Sequence, residues 1–261
     1  MTTMDRILGK AGRLAFLVPT CRPFVSALWG AMAGAKAAAH NVRREAPPGQ
    51  FAAKRFTGAA RWLSHLLDPG DEPGLLPLVQ IVQVCRKPPE ANRMAIQFDA
   101  SPWGGGAILL YDHQPLEYWY VVWDERWATS LQTSVGIPDG QTSWEFLTLV
   151  LSLCTWASSY KERGLAVLGD NIGALSGGAN LRGKGPLAAI ARELAWRKVR
   201  LQWRFATGHL PSEANTAADA LSRLHAPSAS AEHKDFPAEL LKCKQLWPPT
   251  FAEFWAVGTR H

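Results

Sequence analysis

A chain of 261 residues that is 47% apolar and 19% charged can bury a full-sized core and is too apolar to be disordered. No apolar run approaches the roughly eighteen residues a transmembrane helix needs. Early charges at Asp5, Arg6, Lys10 and Arg13 interrupt any secretory leader, so an unsecreted protein of the cytoplasm or nucleus, free of membrane, is expected.

The net charge of +6 is uneven: residues 1–93 carry 13 Lys+Arg against 6 Asp+Glu, residues 94–225 carry 11 against 12, and the remainder balances. Between about residues 4 and 68 the stretches RLAFLVP, FVSALWGAMAGAKAAAH and FAAKRFTGAARWLSHLL have helical periodicity, broken by Pro19, Pro23 and APPG at 46–49. DPGDEPGLLP (68–77) and KPPE (87–90) read as connectors. Residues 1–90 are therefore expected to form a mainly helical, basic region. Its Arg6, Lys10, Arg13, Arg43, Arg44, Lys54, Arg55 and Arg61 offer non-specific, salt-sensitive contacts to phosphate backbones, although a solubilising surface accounts for them as well.

From residue 94 the texture changes. MAIQFDAS (94–101) alternates as a strand does, and GGGAILLY (104–111) and EYWYVVW (117–123) continue an antiparallel meander. A long loop over 124–142 follows. SWEFLTLVLSLCTWASSY (143–160) predicts a buried helix, LAVLGDN (165–171) a short strand, GPLAAIARELAWRKV (185–199) a helix, RLQWRFA (200–206) a strand and EANTAADALSRL (213–224) a final helix. The order is β-β-β-α-β-α-α-β-α, an α/β domain over 91–225. A tail over 226–261, containing LWPPTFAEFW, either docks back or binds a partner. Cys21, Cys85, Cys154 and Cys243 are far apart with no C-x-x-C pair, which fits a reducing compartment and no zinc site.

Four acids stand at element ends, and each has an ordinary local explanation. Asp99 ends the first strand before a turn that Asp favours. Glu145 completes a capping box, Thr142-Ser143-Trp144-Glu145. Asp170 ends a strand and can cap the next helix. Asp219 opens a helix, where negative charge suits the macrodipole. If these ends converge on one sheet edge, however, the carboxylates repel unless cations separate them, and hard oxygen ligands select Mg²⁺ or Mn²⁺.

The segment 94–225 resembles the ribonuclease H domain of retroelement reverse transcriptases of the LTR or DIRS type. The resemblance rests on F-D-A-S-x-x-G-G-G-A (98–107), S-W-E-F-L (143–147), L-G-D-N-x-x-A-L (168–175) and N-x-x-A-D-A-L-S-R (215–223). Residues 1–90 resemble more weakly the connecting region upstream of that domain, and no Y-x-D-D polymerase motif is present. The resemblance implies a ribonuclease H-like fold, a mixed five-stranded sheet flanked by helices. It implies that Asp99, Glu145, Asp170 and Asp219 hold two Mg²⁺, or Mn²⁺ in substitution, and that the RNA strand of an RNA:DNA hybrid is hydrolysed. A reverse transcriptase polymerase region is an implied partner.

Smaller roles follow from the same comparison. His209 would carry a proton to the leaving group. Ser101, Gly104, Gly105, Gly106, Asn171 and Asn215 would contact the substrate, the glycines by letting backbone approach the minor groove, although a tight hairpin connection accounts for the glycines, and a helix cap for Asn171, as well. Trp103 is a candidate base contact, whereas Trp144, Trp156 and Trp196 sit in apolar runs that predict core. Arg192, Arg197, Lys198, Arg200 and Arg204 either track phosphates or form a solvated face. The alternative to an enzyme is a catalytically silent remnant that binds nucleic acid. A 3′–5′ exonuclease is disfavoured because Ser101 stands where that class places a second acid.

Overall fold

Alternation in MAIQFDA becomes β1 (Met94–Ala100), whose Met94, Ile96 and Phe98 are buried. It pairs antiparallel with β2 (Gly104–Tyr111), which pairs antiparallel with β3 (Gln114–Val122). The computed structural model describes residues 3–39, 57–61, 63–64, 93–160 and 165–255. These fall into two compact units, one within Met1–Val82 and the other within Gln83–Arg260.

In the first unit, α1 (Thr3–Leu17) and α2 (Arg22–Ala39) flank a 3₁₀ turn at Pro19–Cys21. Leu8, Ala15, Phe24, Val25, Leu28 and Met32 are buried, at the spacing an amphipathic helix pair requires. Residues 57–61 and 63–64 are also helical. Arg6, Lys10, Arg13 and Arg61 are exposed, while Arg43, Arg44, Lys54 and Arg55 lie outside the described residues.

The second unit holds a mixed sheet in which β5 (Phe205–His209), β4 (Leu165–Gly169), β1, β2, β3 and β6 (Lys244–Gln245) lie side by side in that order. Two parallel strands extend the meander, β4 (Leu165–Gly169) beside β1 and β5 (Phe205–His209) beside β4. The last expected strand thus lies later than RLQWRFA suggested. Good helix formers carry α6 (Pro186–Arg200) on to Arg200, and a turn through Gln202 (φ +53°) precedes β5. The sheet has six strands rather than five because β6 (Lys244–Gln245), from the tail, pairs parallel with Glu117 and Tyr118 of β3.

Helices cover both faces. α4 (Gln141–Trp156) is buried almost throughout, and α7 (Thr216–Arg223) is strongly amphipathic. Consecutive residues of β2 show the two faces. A Cβ on Gly105 would meet Thr148 Oγ1 of α4 at 2.5 Å and Trp123, whereas one on Gly106 would meet Leu221 Cβ of α7 at 2.4 Å. Glycine lets both helices approach β2. α5 (Ile172–Asn180) follows β4.

The loop over 124–142 contains a short helix that the sequence reading missed. α3 (Glu125–Ser130) is capped by Asp124, whose carboxylate accepts from the Arg126 and Trp127 amides. The tail docks on this unit. Its α8 (Phe251–Phe254) has a complete capping box, Thr250 with Glu253, and buries Phe254. Trp127 of α3 packs on Phe251 and Phe254, with ring centroids 5.0 and 5.7 Å apart. Arg197 of α6 donates from Nη2 to the carbonyls of Glu253 (2.9 Å) and Phe254 (2.8 Å). No helix among the described residues is long and apolar enough to cross a membrane.

Candidate metal centre

Strand register brings the first two acids together. β1 and β4 run parallel with Gln97 opposite Leu168, so Asp99 and Asp170 each stand two residues past a matched pair, at the same edge of the sheet. Glu145 reaches this edge from α4. Carboxylate oxygens of Asp99, Glu145 and Asp170 lie within 4.8 Å of one another. They line a cleft of about 420 Å³ with Ala100, Gln141, Asn171, Ser212, Asn215, Asp219 and Arg223.

Each acid is held by a neighbour. Ser222 Oγ donates to Asp99 Oδ2 at 2.7 Å. Gln141 Nε2 donates to Glu145 Oε1 at 3.0 Å and also to the Ala100 carbonyl. Ser212 Oγ donates to Asp170 Oδ2 at 2.7 Å. Burial raises the Asp99 carboxyl to about 7, opposed by the Ser222 hydrogen bond and reinforced by Asp219 and Asp170. Glu145 is raised well above the usual carboxylate range, by burial first and then by Asp99 and Asp170.

The capping box at 142–145 does not form. α4 starts two residues earlier, at Gln141, with Gly140 (φ +91°) as its N-cap. Glu145 therefore sits in the second turn, where its carboxylate is buried facing the cleft.

The donor set fits a hard divalent cation. Oxygens at opposite vertices of a Mg²⁺ octahedron lie ~4.2 Å apart, comparable to the span of the three acids. Two side-chain oxygens of residues that line the cleft, Glu145 Oε2 and Asn215 Oδ1, are buried without a hydrogen-bond partner. An orphaned buried acceptor is costly, and a cation would satisfy it.

Asp219 lines the same cleft but stands outside this group of three. Its Oδ1 takes Arg223 Nε at 2.5 Å and its Oδ2 lies 3.8 Å from Lys234 Nζ. Asn215 is buried and donates from Nδ2 to the Phe98 carbonyl at 2.9 Å. Asn171 lines the cleft and caps α5 through its Oδ1, which accepts from the Ala174 amide at 3.0 Å.

Other expected substrate contacts lie elsewhere. Gly104, Gly105 and Gly106 are buried beneath α7, Trp123 and Thr148, so their lack of a side chain serves packing rather than a nucleic-acid groove. Ser101 is fully buried and donates to the Ser222 carbonyl at 2.6 Å, tying the turn after β1 to α7. His209 is exposed at the end of β5 opposite Gly169, beside the cleft but not lining it.

The aromatic and basic runs also resolve. Trp144 and Trp156 are core, Trp196 is half-buried, and half-buried Trp103 packs beside Gly136 away from the cleft lining. Arg197 is committed to the tail, and Lys198 lies with Nζ 4.2 Å from the Phe205 ring centroid. Only Arg200 and Arg204 of that basic run are exposed, so it makes no continuous phosphate track.

Four site residues escaped the sequence reading: Gln141, Ser212, Ser222 and Arg223. Ser222 and Arg223 belong to the motif that carried Asp219, and Gln141 stands one helical turn before Glu145, where i,i+4 neighbours meet. No family model, curated protein or solved structure matches the chain.

Proposed function

We propose that residues 91–225 form a ribonuclease H-like domain that hydrolyses the RNA strand of an RNA:DNA hybrid with the help of divalent metal. The observation that carries this reading is the convergence of Asp99, Glu145 and Asp170, with Asp219 on the same cleft. The acids occur in the order and motifs of retroelement ribonucleases H, and three of them share an edge that an unpaired structural acid would avoid.

Asp99, Glu145 and Asp170 would hold Mg²⁺ or Mn²⁺. The cation would supply Lewis acidity toward the scissile phosphate and offset its charge. The protein does the rest. Ser222, Gln141 and Ser212 fix the three carboxylates, so little reorganisation is needed when substrate arrives. Asn215 Oδ1, buried and unpaired, is an acceptor ready for a ligand. Water adds to phosphorus, the bond to the 3′-oxygen breaks, and that oxygen takes a proton. The products are 3′-hydroxyl and 5′-phosphate ends. His209, exposed beside the cleft, is the candidate proton donor. A reverse transcriptase polymerase region is the partner this reading suggests.

The test is cleavage of an end-labelled RNA:DNA hybrid in Mg²⁺ and in Mn²⁺, with single-stranded RNA, duplex DNA and the Asp170→Asn variant alongside. Cutting of the hybrid alone, lost in the variant, is the expected result. A hybrid that is bound and never cut in either metal would overturn the hydrolase and leave a nucleic-acid-binding module.

A further inference from the structure

The row of side chains that α7 presents to the cleft carries more than acid. Asn215, Asp219 and Arg223 are spaced four residues apart, at the N-cap, the first turn and the last residue of α7, and all three line the cleft. Residues at this spacing share a helix face. The row therefore offers, in order, an orphaned carbonyl oxygen, a carboxylate and a guanidinium.

We propose that Asp219 is not a metal ligand but the anchor of Arg223, and that Arg223 contacts a phosphate of the bound strand. The inference rests on the hydrolase reading of this cleft and divides its labour. Three acids would hold the divalent cation, and the fourth would hold a cation belonging to the chain.

Both oxygens of Asp219 already face positive charge, Arg223 Nε at 2.5 Å and Lys234 Nζ at 3.8 Å. A carboxylate so engaged has less need of a metal ion than Glu145, whose Oε2 is buried without a partner. Arg223 is itself pinned from two sides, by Asp219 at Nε and by Glu232 at Nη1. Nη2 makes no hydrogen bond among the described residues. The side chain is only 26% exposed, so much of its cost of desolvation and ordering is met before any ligand arrives.

A phosphodiester entering a cleft walled by carboxylates is repelled by each of them. A guanidinium held at the wall offsets that repulsion, and its planar fork matches two phosphate oxygens. Asp219 is then a positioning residue, and substitutions there should act through Arg223 rather than through metal.

Two measurements separate the parts. Mn²⁺ affinity, read by titration calorimetry without nucleic acid, should fall about ten-fold or more in Asp170→Asn and stay within about three-fold of the parent in Asp219→Asn. Equal losses in the two variants would overturn the assignment of Asp219. Hybrid binding is then read in the cleavage-dead Asp170→Asn background as a function of salt. Adding Arg223→Gln should weaken binding about ten-fold and lower the salt slope by about one. Arg223→Lys, which keeps the charge, should restore the slope while recovering only part of the affinity. An Arg223→Gln slope equal to the parent's would overturn the phosphate contact. Absence of hybrid binding by the Asp170→Asn parent would overturn the hydrolase reading and this contact together, and unchanged Mn²⁺ affinity in Asp219→Asn would still uphold the assignment of Asp219.

Discussion

Ser222 donates its hydroxyl to Asp99 at 2.7 Å, joining the last turn of α7 to the end of β1 across 123 residues of sequence. The same residue's carbonyl accepts from Ser101 Oγ at 2.6 Å. Ser222 is thus held through its backbone while its side chain steadies the ionised form of a buried acid. Ser222→Ala keeps the backbone link and removes only the hydroxyl. The Asp99 carboxyl should then titrate higher, because the one hydrogen bond that opposes its desolvation is gone. In the metal-dependent cleavage assay, the acidic limb of the pH–rate profile should move to higher pH, with the rate at neutral pH reduced about ten-fold. An unshifted limb with an equal loss at every pH would mean that Ser222 serves packing alone.

The raised acids also set the sign of the pH dependence of stability. Asp99 and Glu145 bind their protons more tightly in the folded chain than in the unfolded one. The stability they provide in acid is lost as pH climbs from the ordinary Asp range, near ~3.9, through about 7. The metal-free protein should melt at a lower temperature at pH 8 than at pH 6. Mn²⁺ competes with those protons, so the rise in Tm it gives should be larger at pH 8. Calorimetric melts at the two pH values, with and without Mn²⁺, decide this.

Glu145→Gln separates stability from function at the same position. Glu145 is 2% exposed and faces two other carboxylates, so a neutral isostere removes repulsion as well as a desolvated charge. The variant should be more stable than the parent at pH 8 in the absence of metal, and should lose most of its Mn²⁺ response. Urea unfolding at pH 8 with and without Mn²⁺ measures both effects. A variant less stable than the parent would show that the Gln141 hydrogen bond outweighs the repulsion.

Much of this architecture was legible in the chain. The period of two in MAIQFDA and the apolar run of α4 fixed the meander and the helix behind it, and the placement of Asp99 and Asp170 at strand ends follows from them. Register between β1 and β4 was not legible, because parallel pairing joins segments 71 residues apart through no local signal (Gln97 and Leu168). The glycine run stayed ambiguous for a related reason. A lone sequence shows that a side chain is missing at Gly106 but not whether a helix or a ligand fills the space. Arg223 escaped notice because an arginine in the last turn of a helix has an ordinary role with the helix dipole. α3 was hidden by its length, and its one cue was the N-cap Asp124.

Gly106→Ala tests the packing that replaced the groove contact. The new methyl would sit 2.4 Å from Leu221 Cβ and 3.1 Å from the Ser222 amide, neither of which is a flexible chain end. α7 would have to retreat, at a cost of about 1–3 kcal/mol in urea unfolding. Because α7 also carries Ser222, Asp219 and Arg223, cleavage should fall more steeply than stability alone explains. Normal stability with normal cleavage would show that the strand and helix can part without consequence.

The tail supports the site from behind. Phe254 is fully buried against Trp127 of α3 and Trp255, with Arg197 above its ring and bonded to the carbonyls at the end of α8. From α3 the chain runs over the turn after β1, where the Gly136 amide donates to the Pro102 carbonyl, and then enters α4 at Gln141. Gln141 in turn holds Glu145 and the Ala100 carbonyl. Phe254→Ala should therefore cost about 3–5 kcal/mol in unfolding, as other deletions of a buried ring do. It should also weaken Mn²⁺ binding, although no tail residue lines the cleft. Hydrogen exchange would locate the change, with protection lost first in α3 and at the start of α4. If protection fell evenly across the sheet instead, the tail would be a general clamp on the domain and not a brace for Glu145.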